Sequence, residues 1–166
     1  MTPSPDPLQS AVRSIKVSAR DIVFAISNRM PDTNHYLDTE SGDVVPVFGF
    51  NRDAILAMVK AQPDRYVRLA PQSGRRGFEV MQQFAATVSR REFRKRLEQT
   101  LDGKHSFRRF REVLREEPDE YRRWKLFRLE NMAQPLREKL KEKGIKLELT
   151  ETDYRLPDPD SKDDDS

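Results

Sequence analysis

The chain has 166 residues, 36% of them apolar and 36% charged, with a mean hydropathy of −0.85. That length carries one domain with a core, but a composition so polar keeps the core modest and the helices solvated. Cysteine is absent, which excludes disulfides, thiolate metal sites and a cysteine nucleophile.

The first residues, MTPSPDPLQS, lack the basic and apolar regions of a signal peptide. No apolar run approaches the ~18 residues of a spanning helix. The expectation is a cytoplasmic protein with no membrane contact. Net charge is +3 from 31 bases and 28 acids. It is unevenly spread: residues 1–150 carry +8 and residues 151–166 carry −5. A basic body with an acidic tail points to a polyanion-facing surface, and ordinary charge imbalance gives the same pattern.

In chain order, residues 1–14 carry Pro3, Pro5 and Pro7 with little to bury, and read as disordered. Ile15 and Val17 alternate as a brief edge strand. Ser18 and Asp21 open a capping pattern, with Ile22, Val23, Ala25, Ile26 and Met30 at helical spacing before Pro31. His35–Asp38 and Val44–Phe48 flank a turn at Gly42 and predict a hairpin, with Pro46 confining the second strand to an edge or bulge. Asn51 caps a short helix with Ile55, Met58 and Val59 inward, closed by Pro63. Arg65–Ala70 reads as a third strand.

The rest is mainly helical. Pro71–Gly77 reads as a loop, followed by a stripe of Phe78, Met81, Phe84, Ala85 and Val88. Ser89 and Glu92 form a second capping box ahead of Phe93, Leu97 and Leu101, and Asp102-Gly103 stops that helix. Ser106–Arg115 follows, with Phe107, Phe110, Val113 and Leu114 on one side, until Glu117-Pro118 breaks it. The last helix starts near Asp119. Its Leu126, Leu129, Ala133, Leu136 and Leu140 form a short heptad-like seam, suited to packing within the monomer. Pro135 lies inside it and deprives the Asn131 carbonyl of its donor, so a kink or restart is expected there. Gly144 is a C-cap, and Ile145, Leu147 and Leu149 alternate as a final strand before a disordered acidic tail, 150–166.

These elements make one α+β domain over residues 15–149, a small antiparallel sheet from the front half packed against a helical layer from the back half. The expected core is Ile22, Ile26, Tyr36, Tyr66, Phe78, Met81, Phe84, Leu97, Phe107, Phe110, Leu114, Trp124 and Phe127.

Several blocks fall in a recognisable order: YLDTESGDV, RYVRLAP, GFEVMQQFAATV, SFRRFREVL, Trp124 with Phe127, and EKGIKLEL. Together they resemble the bacterial uncharacterised protein family 0158, over about Ser18 to Leu149. The most specific block is Ser106–Phe110, followed at a distance by Trp124. Asn51–Gln62 and Pro135 depart from the family pattern. The resemblance implies a small α+β domain and brings no catalytic residue.

Candidate sites are few. Phe107, Phe110 and Leu114 share a helical face, which suits a core; exposed, the aromatics would stack on bases. Thirteen bases against eight acids lie within residues 90–125, either as a phosphate-contacting surface or as solvated helices paired at i, i+4, as Arg108 with Glu112. Ser73–Gly77 offers glycines and Arg75, Arg76 before a helix, an anion cradle or a plain connection. Asp38, Glu40 and Asp43 read as turn residues rather than a cation loop. His35 and His105 have no metal-type partner nearby, and no catalytic motif is present.

The leading expectation is therefore a non-enzymatic binding module without metal or cofactor. Its basic surface, Arg75, Arg76, Arg108, Arg109, Arg111, Arg115, Arg122 and Arg123, would meet nucleic acid or an acidic protein surface, with the acidic tail as an internal competitor. The alternatives are an assembly domain using the Leu126–Leu140 seam, and an enzyme or binder of a phosphorylated small molecule at Ser73–Gly77.

Overall fold

The structure, a computed structural model, describes residues 12–28, 30 and 32–155. Of the expected disordered segments 1–14 and 150–166, residues 1–11 and 156–166 lie outside the described residues, as does Pro31, whereas Arg13, Ser14 and Thr150 belong to strands. Two compact units form. The first takes residues up to Pro71 together with Met132–Asp153, the second Gln72–Asn131 together with Tyr154 onward.

The first unit begins with β1 (Arg13–Ser18) and α1 (Ala19–Ser27). Then come β2 (Asn34–Asp38), β3 (Val44–Val47), α2 (Arg52–Ala61) and β4 (Tyr66–Arg68). It is completed by the end of a long helix and by β5 (Ile145–Thr150). The hairpin and third strand expected from the sequence form an antiparallel sheet of order β3-β2-β4. Pro46 stands on the edge strand, opposite His35, where its missing N–H costs no ladder bond. The two alternating segments at either end of the chain find each other. β1 and β5 pair in parallel as a separate two-stranded sheet, with Ile15 beside Leu147 and Val17 beside Leu149. Ile15, Val17 and Leu147 are buried while Lys16, Lys146 and Glu148 face solvent, the two-residue period of a one-sided sheet.

Gly42 serves two needs in the hairpin turn. Its φ is +82°, and a Cβ there would overlap the backbone carbonyl oxygen of Lys16 on β1.

The second unit consists of α3 (Gly74–Ala86), α4 (Arg91–Thr100), α5 (Ser106–Arg115) and residues 118–131 of α6 (Pro118–Glu142). Its core gathers Met81, Phe84, Phe93, Leu97, Phe110, Leu114 and Trp124. Phe84 meets Phe110, Trp124 and Phe127 edge-on, at centroid distances of 6.3, 5.2 and 5.5 Å. Phe78, Phe107 and Phe127 are half-buried against this cluster. The aromatics of SFRRF and Trp124 are thus core, as their register required. Gly77 lies beside Phe107, whose Cε1 would be 3.3 Å from a Cβ, so the glycine allows the first turn of α3 to approach that ring.

Several expectations are corrected. Residues 74–77 are not a loop but the first turn of α3, capped by the Ser73 hydroxyl accepting from the Arg76 amide at 3.1 Å. Asn51 occupies the N-cap position of α2 without a side-chain cap bond. Its Oδ1 accepts from Phe48 N at 2.6 Å, and its Nδ2 donates to the Pro46 carbonyl, closing the preceding turn. Of Ile55, Met58 and Val59, expected inward, Ile55 and Val59 are half-buried together with Leu56 while Met58 is exposed, and no residue of α2 is fully buried. The second capping box does not form: Arg90, not Ser89, is the N-cap of α4. α6 runs as one element through Pro135 without restarting. Within it Leu129, Ala133, Leu136 and Leu140 are buried in the chain itself, leaving Leu126 as the exposed member of the seam. No helix among the described residues is long and apolar enough to cross a membrane.

Candidate functional site

The eight arginines singled out from the sequence separate into three groups by what they touch. Arg109, Arg111 and Arg123 are structural. The Arg109 guanidinium donates to the carbonyls of Asp102 and Gln99, at 2.9 and 3.4 Å, closing the C-terminal end of α4. Arg111 is buried and donates to the Phe107 carbonyl. Arg123 grips Glu120 through Nε and Nη2, at 3.0 and 2.7 Å, and donates to Thr87 Oγ1 at 2.7 Å. It also lies 4.5 Å from the centre of the Phe84 ring, so its cation seals the aromatic core.

A second group is paired with local acids. Arg75 and Arg76 both reach Glu79, at 3.6 and 3.3 Å, and Arg76 also donates to Asn131 Oδ1 at 3.0 Å. Arg122 reaches Asp119 at 3.4 Å. These pairs are exposed and worth little energetically. They leave Ser73–Gly77 without free cations, and the Ser73 hydroxyl and carbonyl already take the amides of Arg76 and Gly77.

The third group is Arg108 and Arg115. Neither has an acid or other polar partner among the described residues. The expected Arg108–Glu112 pair does not form. The two arginines are seven residues apart, which places them on one flank of α5, about 10 Å from each other.

The neighbouring acids are taken by other bases. Arg94 pairs with Glu98 along α4, while Arg96 reaches Glu116 and Arg90 reaches Glu117 across helices. The Arg96 guanidinium holds the Glu116 carboxyl below the usual carboxylate range. Three further cations carry no partner among the described residues: Arg91 and Lys95 on α4, and Lys104 in the turn before α5. They belong to the thirteen bases of residues 90–125 but not to the eight arginines singled out from the sequence. For Arg91 a signal existed, since no acid lies three or four residues from it on either side. Glu92, Asp102 and Glu112 are the acids of residues 90–125 whose carboxylates remain without an ion pair among the described residues.

Elsewhere the candidate groups have structural work. Asp38 accepts from Arg65 Nε and Nη2 at 2.9 and 2.8 Å, and from the Glu40 amide at 2.9 Å. The Arg65 guanidinium holds its carboxyl at about 2, with the turn amides assisting. Glu40 reaches the same arginine at 3.1 Å. Asp38 and Glu40 therefore share the Arg65 guanidinium. Among the described residues, no group of three or more His, Asp or Glu side chains is placed to hold a metal ion.

His35 is buried, and its Nε2 finds no partner among the described residues; burial pulls its pKa below the ordinary value. At the exit of the second unit, Tyr154 is buried and donates its hydroxyl to the Lys125 carbonyl at 2.7 Å. Lys125 Nζ donates back to the Tyr154 carbonyl at 3.1 Å. This reciprocal clasp anchors the chain just ahead of residues 156–166, whose sequence holds five acids and one base.

A family model described as an uncharacterised protein family (UPF0158) matches residues 13–161. No curated protein and no solved structure matches the chain.

Proposed function

The chain belongs to the uncharacterised protein family UPF0158, whose description assigns no activity, and we propose that it works as a binding module for a polyanion. The surface is the outer side of α4 and α5, and nucleic acid is the leading polyanion. What carries this reading is the set of cations left without partners on those two helices and the turn between them: Arg91, Lys95, Lys104, Arg108 and Arg115. An unpaired guanidinium keeps its donor fork available for phosphate oxygens. The surrounding residues 90–125 carry thirteen bases and eight acids, so the local field favours an anion.

The mechanism is electrostatic. Each phosphate neutralised releases condensed counterions, so affinity falls with salt in proportion to the number of phosphates held. The aromatics of the helical unit are engaged in its core, so base stacking is not part of the reading. Residues 156–166 follow the Tyr154 clasp in sequence, and in this reading their five acids compete for the same cations.

The test is fluorescence anisotropy of the full chain with single- and double-stranded oligonucleotides across salt concentrations. Arg108→Glu with Arg115→Glu is expected to weaken binding uniformly across sequences and to lower the salt slope by about one for each phosphate no longer neutralised. Deleting residues 156–166 is expected to tighten binding. A salt slope of zero in both the full and the truncated chain overturns the reading.

A further inference from the structure

Seven of the ten residues of α2 are apolar (Ala54, Ile55, Leu56, Ala57, Met58, Val59 and Ala61), yet none is buried. The contrast with α1 is direct, since five of its nine residues are buried. A ten-residue helix is marginal in water by itself and draws its stability from a covered apolar face. The chain covers this one only in part. Ile55, Leu56 and Val59 are half-buried against the chain, while Met58, 46% exposed, and Ala54, Ala57 and Ala61 face outward. Two residues ahead of the helix, Phe50 is 89% exposed and stacked on Phe48 at 5.4 Å. An apolar surface of this kind marks a contact site.

The charges on α2 indicate what covers it. Asp53 and Lys60 are both exposed, and neither has a partner among the described residues. Seven residues apart, they lie on one flank of the helix but about 10.5 Å from each other along its axis, too far to pair. Two copies of this helix laid antiparallel about a two-fold axis between Leu56 and Ala57 bring each Asp53 opposite Lys60 of the other copy. One axis then makes two ion pairs, as an isologous interface requires. A parallel arrangement would set Asp53 against Asp53 and Lys60 against Lys60. Phe50–Asp64 holds two bases and two acids, so the segment has no net charge with which to select an anionic membrane or a polyanion. Ala57, beside the axis, is small enough for helix axes to approach to about 8 Å.

We propose that the outer face of α2, with Phe50, is a homodimer interface in which a second copy of this chain docks antiparallel, in the Asp53–Lys60 register. One short helix and one phenylalanine fall below the roughly 1,200 Å² of a stable complex, so the dimer is a weak one, with a Kd of about 10 µM to 1 mM.

Sedimentation velocity of the full chain, from about 10 µM to 1 mM, tests this. The weight-average mass rises from monomer toward dimer across that range. Asp53→Lys alone and Lys60→Asp alone each place like charges in both pairs and weaken the dimer about tenfold or more. The double exchange, D53K with K60D, restores the register and returns the Kd to within about threefold of the original. Phe50→Ser weakens the dimer while circular dichroism stays unchanged. A chain that remains monomeric throughout, a dimer indifferent to D53K, or a double exchange that fails to rescue overturns the proposal and leaves the surface to a different protein.

Discussion

Replacing Asp38 by asparagine removes one charge from the joint of the three-stranded sheet and should be felt in a pH-dependent way. Asp38 ends β2, accepts the turn amide of Glu40, and receives the guanidinium fork of Arg65 just ahead of β4. Its carboxyl is held at about 2 against an ordinary 3.8, chiefly by Arg65. A shift of that size corresponds to about 2 kcal/mol of stability, trimmed toward 1–2 kcal/mol because Arg65 is partly solvent-facing. The asparagine side chain would keep an acceptor for Glu40 but lose both charge-assisted bonds, at a cost of about 2 kcal/mol at pH 7. The folded-state pKa lies below the unfolded one. The contribution is therefore complete above pH 3.8 and is lost as pH falls toward 2. Urea titrations of wild type and D38N, at pH 7 and at points down to pH 2, measure this. The two curves should differ most at neutral pH and converge in acid. A difference that is absent at pH 7, or that persists undiminished at pH 2, refutes the assignment of this stability to the Arg65 fork.

Gly42→Ala combines a φ of +82° with overlap on the Lys16 carbonyl, and should cost about 3 kcal/mol in thermal or urea unfolding. His35 is buried neutral with its pKa lowered by burial, so its contribution is present above 6.5 and lost as pH falls below it. His35→Gln should accordingly flatten the change in melting temperature between pH 7 and pH 5. Pro135→Ala returns a donor to the Asn131 carbonyl within α6 and should stabilise the chain by about 1–3 kcal/mol, read as an upward shift in the unfolding midpoint.

The sheet and the helical core differ in how they could be read. Phe84, Phe110 and Trp124 were legible as core because helical register alone separates an apolar face from a polar one. The hairpin was legible because Gly42 and Pro46 constrain backbone geometry locally. Within Pro71–Gly77, residues 74–77 read wrongly as loop because glycines signal one, whereas here Ser73 caps the helix and Gly77 admits Phe107. The outcome for α2 was equally hidden. Its periodicity predicts an inward face, but periodicity does not say whether anything stands opposite.

The sequence by itself determined the α+β content, the helical register of the second unit, the edge position of Pro46 and the uneven charge, since each depends on local geometry or on composition. Tertiary structure decided which distant segments meet, and with them the state of every charge. Ile15 and Leu147 lie more than a hundred residues apart, and nothing local selects that parallel pairing. Arg108 has Glu112 at the right spacing and does not pair with it, while Arg96 reaches Glu116 from another helix. A free cation is defined by what the rest of the fold fails to place beside it, so the candidate surface of α4 and α5 emerged only once the helices were packed.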